Sequence, residues 1–282
     1  MQNMRLEDIA KDTVHILERG RYESPYGRRV DLAAHLLECV TNTQCYAPDT
    51  LASIRDHVLA QPGEFAQTVF EVANETTLQC SARLATGQEH RNIGVLNFAS
   101  ARNPGGGFLT GAQAQEESLA RSSGLYQSLL KCHSFYDYHR THRSALYSDH
   151  IIYSPHCPVF RSHDGTLLEQ AYFLDFITSP APNAGAVYQN EQALAARIES
   201  VLRERAAKFI GLAAHHKCDV LILGAWGCGV FRNDPVIVAG TFRELLAANG
   251  PYWGRFRKVV FAVLDTSRSQ RNFQAFLERF VD

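Results

Sequence analysis

The sequence predicts an α/β protein whose mixed, largely parallel sheet is covered by helices on both faces. Two observations carry this reading. From about Gln67 onward, short apolar runs alternate with longer helical patterns, the order expected when parallel strands are joined by crossover helices. The composition is that of a globular chain: 45% of the 282 residues are hydrophobic and 20% are charged, which argues against disorder, collagen and coiled coil. A chain of this length buries roughly three quarters of the surface it exposes when unfolded, enough for one α/β domain of ordinary size.

The N-terminal part reads as helical. Leu6, Ile9, Val14 and Leu17 recur at helical spacing up to Gly20, Leu32 to Val40 is a second apolar stretch, and a third helix starts after Pro48. Its apolar face is Leu51, Ile54 and Val58, and Pro62-Gly63 closes it. Residues 1–65 are therefore expected to form an N-terminal helical extension, and residues 66–282 the α/β domain. Strand candidates are Thr68 to Val72, Ile93 to Phe98, His150 to Tyr153, Tyr172 to Thr178, Val220 to Leu223 and Lys258 to Leu264. Between them lie helices over Thr76 to Ala85, Gln115 to Lys131, Glu191 to His215 and Pro235 to Ala248, and Ser269 to Phe280 closes the chain. In such sheets ligands bind beyond the carboxyl ends of the strands, so the loops there are where chemistry is sought.

Charge and cysteine usage exclude several classes. With 28 basic and 29 acidic residues the formal net charge is −1, which argues against a broad electrostatic grip on duplex nucleic acid or an anionic membrane. No stretch approaches the length of an apolar membrane span, and the charged N-terminus is wrong for a secretory leader, so a cytosolic protein is expected. The seven cysteines are dispersed, without a C-x-x-C, and read as reduced thiols. The histidines show no H-E-x-x-H and no paired Cys/His spacing, so neither a metal nor a cofactor is expected.

Two glycine loops stand out. After the strand Ile93 to Phe98 come Gly105, Gly106 and Gly107, which lack Cβ atoms and allow backbone N–H groups to turn toward a ligand. This loop feeds a helix whose first turn is Gln115-Glu116-Glu117. An acidic first turn alone is accounted for by the helix dipole. At the edge of an anion-binding loop, however, a carboxylate held by a helix start is what cleavage of a phosphorylated sugar would use. The second loop, Gly224 to Asn233, follows Val220 to Leu223 and matches neither a Walker A loop nor G-x-G-x-x-G. It reads as a glycine nest for a diphosphate with Phe231 at its exit, so the expected ligand carries phosphate on a nucleotide-like body.

These residues resemble the macrodomain superfamily, and within it the bacterial-type poly(ADP-ribose) glycohydrolases, whose signature is a triple glycine followed closely by Gln-Glu-Glu. Here seven residues separate Gly107 from Gln115. Leu96 to Pro104, Thr178 to Asn183 and Trp226 to Asn233 are similar to that group as well. The resemblance implies a three-layer α/β/α fold and hydrolysis of the ribose–ribose O-glycosidic bonds of poly(ADP-ribose), with ADP-ribose as product and ADP-ribosylated proteins as partners. It further implies that Glu117 is the catalytic acid, that Glu116 orients the ribose on the leaving side, and that Asn103 holds the distal ribose. The implied substrate-binding set also includes Gly105, Gly106, Gly107, Gln115, Gly227, Cys228, Gly229, Val230 and Phe231. Removal of single ADP-ribose units from a side chain, or ADP-ribose binding without turnover, are the alternatives.

Breakage of an acetal passes through an oxocarbenium-like state and needs a proton on the departing oxygen. Glu117 would donate it and then, as carboxylate, activate water. A protonated Glu117 near neutral pH is favoured by partial burial, Glu116 and the ligand diphosphate, and is opposed by the helix N-terminus. Lesser expectations are that Asp265-Thr266-Ser267 caps the last helix and that Cys228 is a small filler. Tyr136, Tyr138 and Tyr147, with Arg140 and Arg143, are read as an ordinary solvated surface.

Overall fold

A computed structural model describes residues 5–87 and 92–281. The chain opens with α1 (Leu6–Arg19), a short hairpin of β1 (Arg21–Glu23) and β2 (Arg29–Asp31), α2 (Ala33–Asn42), β3 (Gln44–Tyr46) and α3 (Pro48–Leu59). The sheet and its crossovers follow as β4 (Val69–Ala73), α4 (Thr77–Thr86) and β5 (Ile93–Phe98). Next come α5 (Gln115–Ser122), α6 (Leu125–Lys131), α7 (His133–Thr141), then the long hairpin of β6 (Ile151–Arg161) and β7 (Leu167–Ser179). The chain ends with α8 (Ala184–Asn190), α9 (Ile198–His215), β8 (Val220–Leu223), α10 (Pro235–Leu246), β9 (Lys258–Ala262) and α11 (Arg271–Phe280).

Seven strands form one sheet in the order β3-β6-β7-β5-β8-β9-β4. The five strands β7, β5, β8, β9 and β4 run parallel, while β6 and β3 are antiparallel to their neighbours. Alternation along the central strands divides the core. Leu96, Leu221, Leu223, Val259 and Phe261 pack on one face with Leu202 and Phe209 of α9 and Phe242 of α10. Val95, Val220, Ile222 and Val260 pack on the other with Leu78 of α4, Leu119 of α5 and Phe135 of α7. The result is the expected helix–sheet–helix sandwich.

The structure departs from the sequence reading in several places, among them the unexpected β1–β2 hairpin and a β6–β7 hairpin much longer than the runs His150 to Tyr153 and Tyr172 to Thr178. The first 65 residues are not wholly helical: β3 pairs with β6 through Gln44↔Tyr153 to Tyr46↔Ile151 and forms one edge of the central sheet. Three residues are too short for a period to show. The helix expected over Gln115 to Lys131 divides at Ser123-Gly124, where Ser123 is extended and bridges Val159, and the Gly124 N–H donates to the Pro158 carbonyl. The helix expected from Glu191 begins as a 3-10 turn over Gln192–Arg197 and becomes α-helical at Ile198.

The N-terminal elements brace the first glycine loop. Ala10 of α1 packs with Phe108 and Ala120, and Thr13 Oγ1 donates to the Arg121 carbonyl at 2.5 Å. The start of α4 is fixed by a capping box in which Thr76 and Gln79 satisfy each other's backbone N–H, a contribution of about 1 kcal/mol.

Candidate active site

Parallel neighbours bring the two glycine loops together. β5 ends at Phe98 and pairs with both β7 and β8, so the loops leaving β5 and β8 emerge at the same end of the sheet. Between them lies a cavity of about 530 Å³, lined by Gln115, Glu116 and Glu117 from α5 and by Gly227, Gly229, Val230 and Phe231 from the second loop. Phe98, Thr76, Leu264 and Asn272 close its other walls. A volume of this order suits a nucleotide-sized ligand.

The first loop turns back on α5. Gly105 and Gly106 have φ of +69° and +61°, which a side chain would strain. A Cβ on Gly106 would also stand 2.8 Å from Glu117 Cδ and 3.3 Å from Glu116 Oε2, so the bare backbone leaves room for both carboxyl groups. The Gly107 N–H donates to Glu117 Oε1 at 3.0 Å, and Glu117 Oε2 has no partner among the described residues. Glu117 is half-buried and faces the cavity.

Glu116 is buried. Its Oε1 accepts from Asn97 Nδ2 at 3.2 Å and its Oε2 from the Ser100 N–H at 2.6 Å. Burial pushes its titration up to about 8, against the opposing pull of the Ser100 and Asn97 donors and with a small push from Glu117. Burial thus favours the protonated form of Glu116, and the donors on its two oxygens oppose it. Gln115 is held by its own amide: Oε1 accepts from the Phe98 N–H at 2.9 Å and Nε2 donates to the Leu96 carbonyl at 2.8 Å. It clamps the end of β5 to the start of α5. Asn103 is exposed at the loop's outer rim, where its carbonyl accepts from the Gly106 N–H. Asn103 and the three glycines do not line the cavity itself.

The second loop is tied down from below. Trp226 is buried and its indole N–H donates to the Ser179 carbonyl at 3.0 Å, while Asn233 Nδ2 donates to the carbonyls of Pro182 and Gly227. The N–H groups of Gly229, Val230 and Phe231 donate to no described residue. Three unpaired donors in sequence form a nest for an anion. Beside them Phe231 presents its ring, with Tyr147 behind it at 5.9 Å between centroids. The Cys228 side chain does not line the cavity, and burial pushes its thiol well above the usual range, so it offers no thiolate nucleophile.

Other sequence candidates take structural places. Asp265 accepts from the N–H groups of Ser267 and Asn272 and so caps the approach to α11. Of the aromatic and basic stretch, Arg140 and Arg143 are exposed and Tyr138 and Tyr147 half-buried, as on a solvated surface, whereas Tyr136 is buried. His139 is buried, with Nδ1 against the Phe135 carbonyl and Nε2 against Ser148. All seven cysteines are free thiols. Among the described residues no group of three or more His, Cys, Asp or Glu is disposed to hold a metal ion, and no helix is long and apolar enough to cross a membrane.

The sequence reading did not find Thr76, Leu264, Asn272 or Asn97. Thr76 and Leu264 lie on loops and Asn272 in the first turn of α11, all remote in the chain from the glycine loops. Asn97 did carry a signal, as the one polar side chain in the otherwise apolar strand Ile93 to Phe98.

Comparison with known proteins places this site in a family. The family described as "Microbial-type PARG, catalytic domain" matches residues 10–162. The chain is 51% identical to a poly(ADP-ribose) glycohydrolase from Thermomonospora curvata, with a TM-score of 0.93 over 98% of this chain and 99% of that one. The same protein bound to the inhibitor ADP-HPD gives 50% identity and a TM-score of 0.91, over 98% and 99% of the two chains. A poly(ADP-ribose) glycohydrolase from Deinococcus radiodurans in complex with ADP-ribose is 45% identical, with a TM-score of 0.83 over 87% of this chain and 97% of that one. No curated protein matches the sequence. With its triple-glycine turn, its buried and half-buried glutamate pair and this likeness across nearly its whole length, the chain belongs to the microbial-type poly(ADP-ribose) glycohydrolases.

Proposed function

We propose that the protein hydrolyses the ribose–ribose bonds of poly(ADP-ribose) and releases ADP-ribose, with Glu117 as the single acid and base. The observation that carries this reading is the meeting of Glu117 and the open N–H nest of Gly229 to Phe231 in one cavity. Titratable chemistry and an anion site then face the same ligand.

In this reading the diphosphate rests on the nest and Phe231 covers the adjoining sugar or base. Glu117 Oε1 is fixed by the Gly107 N–H, which leaves Oε2 to work. Protonated Oε2 donates to the glycosidic oxygen as its bond to the anomeric carbon breaks, and the bonding pair leaves with that oxygen. The resulting carboxylate takes a proton from water while the water oxygen bonds to the anomeric carbon. ADP-ribose forms and Glu117 regains its proton. The diphosphate charge stabilises the oxocarbenium-like state. Glu116, buried and held by the Asn97 amide and the Ser100 N–H, orients the leaving-side ribose. Asn103, at the rim, meets the distal ribose, Gln115 lines the wall, and the three glycines act from outside the cavity by making room for Glu117 and holding its carboxyl.

The test is to incubate wild type and Glu117→Gln with labelled poly(ADP-ribose) and with a mono-ADP-ribosylated protein, and to chromatograph the products. Wild type is expected to release ADP-ribose from polymer, and Glu117→Gln to bind ADP-ribose without releasing any. Turnover by Glu117→Gln at the wild-type rate removes Glu117 from the mechanism. Release from the mono-modified protein alone replaces the polymer as substrate.

A further inference from the structure

Beneath the acid pair lies a side chain that touches no ligand-facing surface. Asn97 is fully buried near the end of β5, and its Nδ2 donates both to Glu116 Oε1 at 3.2 Å and to Thr178 Oγ1 at 3.1 Å. Thr178 is its register partner on β7. The Asn97 Oδ1 atom is buried with no partner. In this orientation the amide makes both of its hydrogen bonds through the nitrogen. Turning it over would leave an NH₂ group with two donors unpaired in place of one carbonyl, and unpaired buried donors are the rarer case. A fully buried amide that leaves its own oxygen unsatisfied is held where it is by what its nitrogen does.

We propose that Asn97 is a positioning residue for the reaction: anchored on Thr178, its amide aims the Glu116 carboxyl and, across Gly106, keeps the adjacent Glu117 carboxyl in line with the cavity. Glu116 then has one oxygen on the Asn97 amide and the other on the Ser100 N–H, so its plane is fixed at two points. Because Glu116 and Glu117 both crowd the space above Gly106, a Glu116 carboxyl free to rotate would enter the place of Glu117.

The Asn97 N–H also favours the charged form of Glu116, so its removal makes Glu116 hold its proton to higher pH. The titratable neighbours of Glu116 are Glu117 on its own helix and the buried Tyr136 phenol on α7. From β5 and the loop after it come only the Asn97 amide and the Ser100 and Gly105 N–H groups. On α1, Glu7 reaches Gly111 and Asp12 pairs with Arg161.

This inference rests on the hydrolytic reading above, and its test separates the two. The full chain is assayed on poly(ADP-ribose) from pH 6 to pH 9 as wild type, Asn97→Leu, Thr178→Val and Thr178→Ser, with ADP-ribose affinity measured by calorimetry. Asn97→Leu is expected to lower kcat about tenfold at pH 7, with KM and ADP-ribose affinity within about threefold, a split that marks a misplaced acid in a preserved binding site. Its alkaline limb should move up by about one pH unit. Thr178→Val, nearly isosteric, should shift in the same direction by less, and Thr178→Ser, which keeps the hydroxyl, should restore the wild-type profile. An unchanged kcat in Asn97→Leu overturns the proposal. So does an equal loss at every pH with the limb unmoved, or an unmoved limb in Thr178→Val if Asn97→Leu does not fold. Wild type that releases no ADP-ribose overturns the hydrolytic reading itself, and this inference with it.

Discussion

The indole N–H of Trp226 donates to the carbonyl of Ser179 at 3.0 Å, and the same carbonyl accepts from the Ala99 N–H at 3.4 Å. One oxygen at the end of β7 therefore holds the starts of both glycine loops. Neither loop could drift relative to the other without losing a buried hydrogen bond. Trp226→Phe keeps most of the ring volume and removes the donor. A neutral hydrogen bond contributes about 1 kcal/mol, so denaturant unfolding should show a loss of that order. Calorimetry should show ADP-ribose binding weakened several-fold, because the nest is no longer pinned opposite Glu117.

Gly106 carries two constraints at once, a left-handed backbone and a Cβ position already filled by the Glu117 carboxyl. Gly106→Ala should lower kcat by about 100-fold, the effect of displacing the acid proposed at Glu117 by about an ångström. The left-handed strain should also cost about 1 to 2 kcal/mol of stability. Steady-state kinetics beside thermal unfolding separate these effects: the expected variant is folded, binds ADP-ribose and turns over slowly.

The titration of Glu116 links activity and stability to pH. Its folded-state value, raised by burial to about 8 from an ordinary 4.5, means that the folded protein holds this proton more tightly than the unfolded chain does. The stability it contributes is complete below about pH 4.5 and is lost as pH rises through about 8. Glu116→Gln, which cannot ionise, should therefore gain in Tm relative to wild type as pH is raised across that window. Wild-type activity should decline as pH passes about 8, while Glu116→Gln should show a smaller loss of kcat at pH 7 than Glu117→Gln.

Phe231 lies at the end of the three open N–H groups and lines the cavity. A stacking surface contributes roughly 1 to 3 kcal/mol, so Phe231→Ala should weaken ADP-ribose binding by about 10- to 100-fold. At saturating polymer its kcat should stay close to wild type, because in the proposed mechanism the ring stacks on the ligand and takes no part in proton transfer. A loss confined to kcat in the same assay would move Phe231 from binding to chemistry.

Much of the architecture is legible along the chain. Ile93 to Phe98 and Val220 to Leu223 are strands with the bounds read from their apolar runs, because a strand buried on both faces has little choice of composition. The two glycine turns and the acidic start of α5 are local features, and local features show in local sequence. The edge strand β3 did not show, since three residues carry no period and its place depends on a partner more than 100 residues away.

The sequence by itself determined the α/β class, the strand-to-helix glycine turns and the adjacency of two glutamates at a helix start, all consequences of spacing within a few residues. Only the tertiary structure decided that Glu116 is the buried member and Glu117 the one that faces the cavity. It also decided that Gln115 clamps a strand end, and that Asn97 and Thr178 stand beneath the pair. Desolvation and hydrogen bonding are set by every atom packed around a carboxyl group, and here those atoms come from β5, β7 and α7 as well as from the helix that bears it.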